Sequence, residues 1–294
     1  MKYHTPVLAS EVLRLLPIQP GKIYIDATVG NGGHSIKILK KGGIVYGFDQ
    51  DPTNLRLTTK RIKKLRLDNF HPIHANFSQL SSIVKKHIKN PSKIRGILFD
   101  LGLSSNQQKS DHRGFSFNDN LSLDMRLDPD RQKTTAEFII NTAPFSELFH
   151  IFSFYAQEKH AKPLSIKIIQ QRQKKPIKSA KHLADIVRQY YQQKKIKTKT
   201  DPSTKIFLAL KIVVNREFAN LTEVLPQTLL LPPTSVVVFI SFHSGEDRII
   251  KRFIKKHQKK IINLTPKPIK PQKSEINKNP LCRSAILRAF KNMS

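Results

Sequence analysis

The sequence predicts an α/β fold, a mostly parallel, doubly wound sheet interrupted by an inserted all-helical segment. Three observations predict it. Between residues 23 and 101, short runs rich in β-branched residues alternate with longer helical patterns, which is typical of right-handed crossovers between parallel strands. Residues 134–193 contain helical patterns with no strand between them. The alternating pattern returns from residue 203 onward.

The elements of the first part follow in order. The predicted strands are IYIDA (23–27), IVYGFD (44–49), HPIHA (71–75) and GILFDLGL (96–103). The predicted helices between them are SIKILKK (35–41), residues 52–67 and SQLSSIVKKHI (78–88). Gly42 and Gly43 end the first helix and Pro52 stands in the first turn of the second, which are ordinary stop and start signals.

The middle of the chain loses this alternation. A polar stretch with little periodicity, residues 104–132, is predicted to be a long loop. Four helical patterns follow it, at 134–142, 145–155, 157–173 and 179–193. Between Lys159 and Lys199 there are thirteen Lys or Arg and a single acid, Asp185.

The last part is predicted to rejoin the sheet. It has a helical pattern at 203–221, the strand SVVVFIS (235–241) and a final segment around CRSAILRAF (282–290). The predicted domains are therefore residues 1–108 and 203–294, two parts of one sheet domain, and residues 109–202, a helical insertion that would recognise RNA.

Charge and composition restrict the function. The formal net charge is +31 and the pI is about 10.3, which indicates a polyanionic partner, with nucleic acid first. The alternative is a compositional preference for Lys and Ile. A single cysteine, Cys282, excludes an internal disulfide framework and a Cys-based zinc cluster. No apolar run approaches the ~18 residues of a membrane span, and no signal peptide is evident, so a cytoplasmic protein is predicted.

The loop DATVGNGGHS indicates a ligand. Gly30, Gly32 and Gly33 follow the first strand, but Ser35 replaces the last glycine of the dinucleotide pattern. Asp26 beside the loop suits a cationic ligand better than a pyrophosphate. Asp49 ends the second strand, where it can accept both hydroxyls of a ribose. S-adenosylmethionine has a positive amino group, a sulfonium and a ribose diol, and fits these features. A nicotinamide or flavin nucleotide and a purely structural turn are the alternatives.

Nine strings relate the chain to one family. They are HTPVL, DATVGNGGHS, GFDQDP, GILFDLGLSSNQ, RGFSF, LDMRLD, FLALKIVVNRE, ISFHSGEDRIIK and NPLCRSAILR. In the order and spacing of these strings the chain resembles the bacterial 16S ribosomal RNA (cytosine-N4) methyltransferases. The resemblance implies a class I (Rossmann-like) S-adenosylmethionine-dependent methyltransferase fold with a helical insertion. It also implies methylation of a cytosine N4 amino group in the decoding region of 16S ribosomal RNA, within the small ribosomal subunit.

The resemblance implies seven cofactor-binding residues. They are Gly32, Gly33, His34, Asp49, Phe77, Asp100 and Gln107. His34 could instead be a polar residue that contacts the loop backbone at a helix start. The departures from the family pattern lie elsewhere: Gly245 stands where a leucine is usual, and Leu281 and Cys282 stand where an arginine and a small residue are favoured.

Transfer to an exocyclic amino group mainly requires proximity and alignment, because the sulfonium supplies the driving force. An acceptor beside the amino group would orient it and offset its developing charge. Asp100 is the candidate, together with Ser104, Ser105 or Asn106 in the turn LGLSSNQ. Alternatively, Asp100 contacts only the cofactor and backbone carbonyls hold the amino group.

A cytosine in structured RNA must be unstacked before it can react. Phe115 and Phe117 in RGFSF are candidates to stack on it, with Arg113 on a phosphate. The opposing interpretation is that the two phenylalanines anchor the loop in a core. Asp124 and Arg126 in LDMRLD are predicted to form an internal ion pair.

The string FHSGEDR contains possible metal ligands in His243, Glu246 and Asp247. We favour a structural use for them, as the cap of a loop after a strand, and we expect no metal. Two other functions compete with methyl transfer. One is an RNA-bound ribosome assembly factor that has the fold without turnover. The other is a nucleotide-dependent oxidoreductase, which Ser35 and Asp26 disfavour.

Overall fold

The structure, a computed structural model, describes residues 5–104, 106–107 and 113–293. The chain forms two compact units. The sheet unit consists of Met1–Ser105 and Phe218–Ser294, and the helical unit consists of Asn106–Glu217. The first boundary falls close to the expected one at residue 108.

The second boundary lies after Glu217 and not after residue 202 as the sequence suggested. The reason is the packing of the helix Ser203–Val214. Its apolar residues, among them Ile206 and Leu210, are buried in the core of the helical unit. A helix that follows an insertion in the chain has no local mark of which core it joins.

The sheet unit is built on one seven-stranded sheet with the order β3-β2-β1-β4-β5-β7-β6. Its strands are β1 (Ile23–Asp26), β2 (Ile44–Asp49), β3 (Phe70–His74), β4 (Ile94–Asp100), β5 (Val236–Ser241), β6 (Ile261–Asn263) and β7 (Ile286–Asn292). β1 to β5 are parallel, and β7 runs antiparallel between β5 and β6. The predicted fold class is confirmed. The three-residue β6 is too short for its alternation to have been recognised.

The helices are numbered along the chain. They are α1 (Ala9–Leu15), α2 (Gly33–Leu39), α3 (Pro52–Lys64), α4 (Leu80–His87), α5 (Ala136–Thr142), α6 (Phe145–His150), α7 (Ala161–Lys174), α8 (Ala180–Gln193), α9 (Ser203–Val214), α10 (Glu217–Thr228), α11 (Ser244–Lys256) and α12 (Lys273–Lys278). α6 continues into a π-helical turn, Ile151–Tyr155. The expected helix 203–221 is divided between α9 and α10 because Arg216 has a φ of 51°, which ends a right-handed helix.

Buried side chains of the strands lie on both faces of the sheet. Tyr24 and Val45 pack with α2 and α3 on one face. Ile25 and Phe48 pack with α4, α10 and α11 on the other. Within the sheet the strand order reverses between β1 and β4, so ligands are expected at the carboxyl ends of these strands. Among the described residues, no helix is long and apolar enough to cross a membrane.

The helical unit has its own core, to which α5, α7, α8 and α9 contribute buried residues. Thr135 and Ser179 cap α5 and α8, each accepting a backbone N–H from its first turn. The loop before α5 is ordered by Asp119, whose carboxylate accepts the backbone N–H groups of Gly114, Leu121 and Ser122. Side-chain acceptors take the place of the regular backbone hydrogen bonds of a helix or strand in this loop. The sequence of this segment therefore has no helical or strand periodicity.

Glu158 is a buried carboxylate in this unit. It accepts hydrogen bonds from Tyr191 Oη at 2.7 Å and from the backbone N of His160 at 2.8 Å. Burial and the bond to Glu158 raise the pKa of Tyr191 well above its usual range, so the phenol stays a donor at all ordinary pH values.

Replacing Glu158 by alanine is expected to destabilise the helical unit, because two donors lose their acceptor. We expect the free energy of unfolding to fall by about 1–3 kcal/mol for each buried donor left unpaired. Urea denaturation of Glu158→Ala, Tyr191→Phe and the double variant checks this. Tyr191→Phe in the Glu158→Ala background should cost less than in the wild type, and strictly additive losses would contradict the coupling.

Candidate active site

The loop between β1 and α2 turns tightly beside α3. Gly30 and Gly32 have φ values of 50° and 73°, in the left-handed region that favours glycine. A Cβ at Gly32 would lie 2.5 Å from Cγ2 of Thr58 on α3. Oγ1 of Thr58 donates to the carbonyl of Gly30 at 2.7 Å. The loop backbone is therefore held against α3, with no room for a side chain at position 32.

Gly32→Ala is expected to weaken both folding and cofactor binding, because the methyl group meets Thr58 and the φ value is strained. We expect a loss of folding free energy of about 1–3 kcal/mol. Thr58→Ser is the matched control, since it removes the colliding methyl group and keeps the hydroxyl. Thermal unfolding should show that Thr58→Ser restores part of the loss in the double variant; no recovery at all would show that the contact with Thr58 is unimportant.

The α3 face that supports this loop carries Asp51, Asn54 and Thr58, all buried. Asp51 caps α3 by accepting the N–H groups of Thr53 and Asn54. Sequence analysis did not single out these three residues. Their spacing of three and four positions places them on one side of the helix, so a buried polar stripe was the available signal.

Asp26 does not face an open site. Only 1% of its surface is exposed, and it accepts from Ser35 Oγ at 2.6 Å and, more weakly, from the backbone N of Thr28 at 3.4 Å. Burial raises the pKa of Asp26. The serine that breaks the dinucleotide pattern is thus the partner of this carboxylate, and Asp26 holds the loop in place.

Asp49 joins the loop to the end of β2. Its Oδ2 accepts from the backbone N of Gly30 and its Oδ1 from the backbone N of Asp51, both at 2.8 Å. Burial raises the pKa of this carboxyl from 3.8 to about 7. A carboxylate has about four lone-pair positions, so two of them stay available to a ligand. Two such acceptors match the two hydroxyls of a ribose.

His34, in the first turn of α2, faces Asp100 at the carboxyl end of β4. Nε2 of His34 lies 3.6 Å from Oδ2 of Asp100. Among the described residues, Nε2 of His34 and Oδ1 of Asp100 are buried atoms for which no hydrogen-bond partner is found. Since buried polar atoms are nearly always paired, these two atoms indicate a missing polar ligand. A nitrogen donor such as an amino or ammonium group fits Oδ1 of Asp100, and a ribose diol, as in S-adenosylmethionine, fits Asp49.

Two further predicted residues lie in the sheet unit. Phe77 follows β3 and packs edge-on against Phe99, with ring centroids 5.7 Å apart. Ser104 lies beside the loop, because a Cβ added to Gly30 would be 3.5 Å from the Cβ of Ser104. The Ser104 hydroxyl donates to Asn54 Oδ1 at 3.1 Å. The predicted cofactor residues of this unit therefore lie at, or shortly after, the carboxyl ends of four neighbouring strands.

The remaining predicted residues are placed differently. Ser105 lies outside the described residues. Asn106 and Gln107 are the first residues of the helical unit, and Gln107 is buried. Their roles as catalytic and cofactor-binding residues stay predictions.

The RGFSF segment lies within the helical unit. Arg113 donates to the backbone carbonyls of Arg126 and Leu127, at 2.8 Å and 3.1 Å, and stacks over Phe115 with its Cζ 5.6 Å from the ring centroid. Phe117 packs edge-on against Phe207 at 4.7 Å. These contacts anchor the loop, as the opposing interpretation expected. They do not test whether Phe115 and Phe117 also receive a base.

The ion pair predicted in LDMRLD is confirmed. Arg126 donates from Nε to Asp124 Oδ1 at 2.7 Å and from Nη2 to Oδ2 at 2.8 Å, which is the bidentate geometry that arginine and carboxylate prefer. Nη1 of Arg126 also donates to the carbonyl of Gln132 at 2.7 Å. The pair therefore orders the segment ahead of α5.

Glu246 and Asp247 of FHSGEDR have structural partners in the sheet unit. Oε2 of Glu246 accepts the backbone N of Phe242 at 2.9 Å, ahead of α11. Asp247 forms a bidentate pair with Arg288 on β7. A side chain at Gly245 would collide with the ring of Phe218, which fills the space beside this glycine.

Comparisons with known proteins agree over the whole chain. The sequence model of the MraW methylase family matches residues 1–293. A ribosomal RNA small subunit methyltransferase H from Sulfurihydrogenibium azorense is 39% identical over 298 residues, with 100% of both chains covered. The protein of that name from Coxiella burnetii is 38% identical over 313 residues, again with 100% of both chains covered. A solved rRNA methylase from Streptococcus thermophilus aligns with a TM-score of 0.46 at 12% identity over 100% of both chains. The family model and these relatives show that the chain belongs to the MraW methylase family.

Proposed function

We propose that the protein transfers the methyl group of S-adenosylmethionine to the exocyclic N4 amino group of a cytosine in the decoding region of 16S ribosomal RNA. Membership of a methylase family supports the reaction class. The names of the relatives support small-subunit ribosomal RNA as the substrate. The observation that carries the proposal is the pair of unpartnered buried atoms on His34 and Asp100, beside Asp49 and the glycine loop.

Three groups of the sheet unit would hold the cofactor. The carboxylate of Asp49, aligned by the N–H groups of Gly30 and Asp51, would accept the ribose hydroxyls. Gly32 and Gly33 let the backbone pack closely against Thr58 and Pro6 where the loop enters α2, which fixes the shape of the loop that would receive the cofactor. Phe77 lies after β3, where its ring would contact the base of the cofactor. When bound, S-adenosylmethionine supplies an electrophilic methyl group on a sulfonium.

Asp100 is the proposed acceptor for the reacting amino group. That nitrogen forms the new N–C bond and gives up one proton, and positive charge develops on it during the transfer. Oδ2 of Asp100 lies toward His34, and Oδ1 is left for a donor. A negative acceptor at this point both orients the lone pair and stabilises the transition state. Ser104, fixed by its bond to Asn54, would border the same pocket. Ser105 and Asn106 stay candidates for the same role on the sequence alone.

The RNA would be held by the basic helical unit. Thirteen Lys or Arg with one acid between Lys159 and Lys199 suit phosphate contacts. We propose the assembled small subunit in the cytoplasm as the substrate, with Arg113, Phe115 and Phe117 near the extruded base. The reaction requires no metal, because the electrophile carries its own positive charge.

A transfer assay tests this function. Methyl-labelled S-adenosylmethionine is supplied with naked 16S RNA or with small subunits that lack the modification, and the label is mapped by nuclease digestion. Label on a cytosine amino nitrogen of the subunit supports the proposal. No label on either substrate, with cofactor binding intact, would contradict it and favour the assembly-factor alternative.

A further inference from the structure

A basic groove lies on the sheet unit between α3 and the edge strand β3. Its volume is about 660 Å³. Three apolar residues, Pro52, Leu55 and Pro72, line it. The same groove is lined by three exposed cations, Arg56, Lys60 and Lys63. An apolar surface bordered by positive charge is suited to a ligand with flat or apolar parts joined by anionic groups.

The three cations share one side of α3. Their spacing of four and three positions places them in a row along the helix. Within the described ranges, no ion pair or hydrogen bond of these three side chains is found, and no acid lines the groove. Asn54 and Thr58, on another side of the same helix, support the cofactor loop. α3 therefore connects the loop to the groove through one rigid element.

The groove also opens close to the predicted ribose site. His74, which lines it, is paired in register with Asp49 on β2. Nε2 of His74 lies 3.1 Å from the carbonyl oxygen of Gln50, the residue after Asp49. None of the seven predicted cofactor residues lines the groove. The His74 end of the groove therefore lies beside the predicted ribose site, outside the cofactor residues and three strands away from Asp100 on β4.

We propose that this groove binds the sugar–phosphate backbone of a single-stranded segment of the substrate RNA that flanks the target cytosine. The row of cations would pair with successive phosphates, and the prolines and Leu55 would contact a ribose or the face of a base. An unstacked target leaves its neighbouring nucleotides without stacking partners, so a contact surface beside the pocket would hold them. The inference rests on the proposed function, since it assumes an RNA substrate.

The first test neutralises the row in the full-length protein, as Arg56→Gln, Lys60→Gln and Lys63→Gln together. Glutamine preserves the helix. We expect the KM for the RNA substrate to rise by about tenfold at moderate salt, and the slope of log affinity against log salt to decrease by about 2–3, since each phosphate contact contributes nearly one. The Kd for S-adenosylhomocysteine and the kcat at saturating RNA should stay near their wild-type values.

A matched control separates a local contact from a change in total charge. Lys85, Lys86 and Lys89 are equally exposed, and α4 packs on the opposite face of the sheet from α3. Their triple glutamine variant removes the same charge and should leave KM and the salt slope close to wild type. Equal losses in both triple variants, or no loss in either, would overturn the inference. Failure of the wild type to methylate any RNA would instead contradict the proposed function.

A crosslink provides a second measurement. Cys282 is the single cysteine and is fully buried, so Lys60→Cys introduces a unique exposed thiol. A short photo-crosslinker on this thiol should label 16S RNA within a few nucleotides of the methylated cytosine. Lys86→Cys carries the same probe as control. Crosslinks at the same nucleotides and yield from both positions, or none from position 60, would overturn the inference. If inorganic phosphate lowers the crosslink yield from position 60 and an excess of unlabelled RNA does not, the groove is a small-anion site and the inference is overturned.

Discussion

Replacing Asp100 by alanine is expected to lower the kcat for methyl transfer by about 10²–10³-fold, the scale measured when one preorganised electrostatic group is removed from an active site. The reason is the unpartnered Oδ1 of Asp100, which we propose accepts the cytosine amino group. The kcat of Asp100→Asn should lie between those of the wild type and Asp100→Ala. The amide still has an acceptor oxygen, but it lacks the negative charge that stabilises the developing positive charge on nitrogen.

The measurement is single-turnover transfer at saturating cofactor and saturating small subunits, together with the Kd for S-adenosylhomocysteine. A lower transfer rate with an unchanged Kd would assign Asp100 to the chemical step. If Asp100 only contacted the cofactor, Kd would rise in both variants and the rate would recover at saturation. That result would remove Asp100 from the chemistry and leave backbone carbonyls as the acceptors.

Cofactor affinity is expected to depend on Asp49 and on pH. Asp49→Ala should weaken binding by about 1–3 kcal/mol, as expected when charge-assisted hydrogen bonds are lost. Burial raises the pKa of Asp49 to about 7, and the ribose hydroxyls need the ionised form as their acceptor. The wild type should therefore bind S-adenosylhomocysteine about tenfold more tightly at pH 8 than at pH 6.

Isothermal titration across this range checks the prediction. Asp49→Ala should show a flatter profile, whereas Asp68→Ala, which removes an exposed acid near α3, should behave as the wild type does. A wild-type Kd that does not change with pH would contradict the raised pKa. An Asp49→Ala protein with wild-type affinity would show that the ribose is held elsewhere.

The contribution of Asp49 to folding stability should decrease as pH rises, whereas its contribution to cofactor affinity should increase. An unperturbed aspartate carboxyl has a pKa of 3.8, and burial raises the pKa of Asp49 to about 7 in the folded protein. Between these values the folded state binds more protons than the unfolded state. The contribution of this group to the free energy of unfolding is therefore largest below pH 4 and is lost as pH rises through about 7. Thermal unfolding without ligand, compared between the wild type and Asp49→Ala, would reveal this difference.

Much of the sheet unit was predictable because its determinants are local. Short apolar runs rich in β-branched and aromatic residues predicted β1, β2, β4 and β5, and the intervening helical patterns predicted parallel crossovers. In such a sheet the acids that end β2 and β4 must lie at the same edge, so Asp49 and Asp100 could be assigned to one site before any coordinates. The ion pair of Asp124 and Arg126 was equally local, at two positions apart.

Other features were decided only by contacts between distant parts of the chain. α9 joins the helical unit because its buried side chains meet α8 and the π-helical turn, and no local pattern states which core a helix will enter. Asp26 is oriented inward because Ser35, nine positions later, donates to it. The groove exists because β3 lies at the edge of the sheet beside α3. Sequence periodicity determines which elements form, whereas burial and long-range pairing determine which side chains remain available to a ligand.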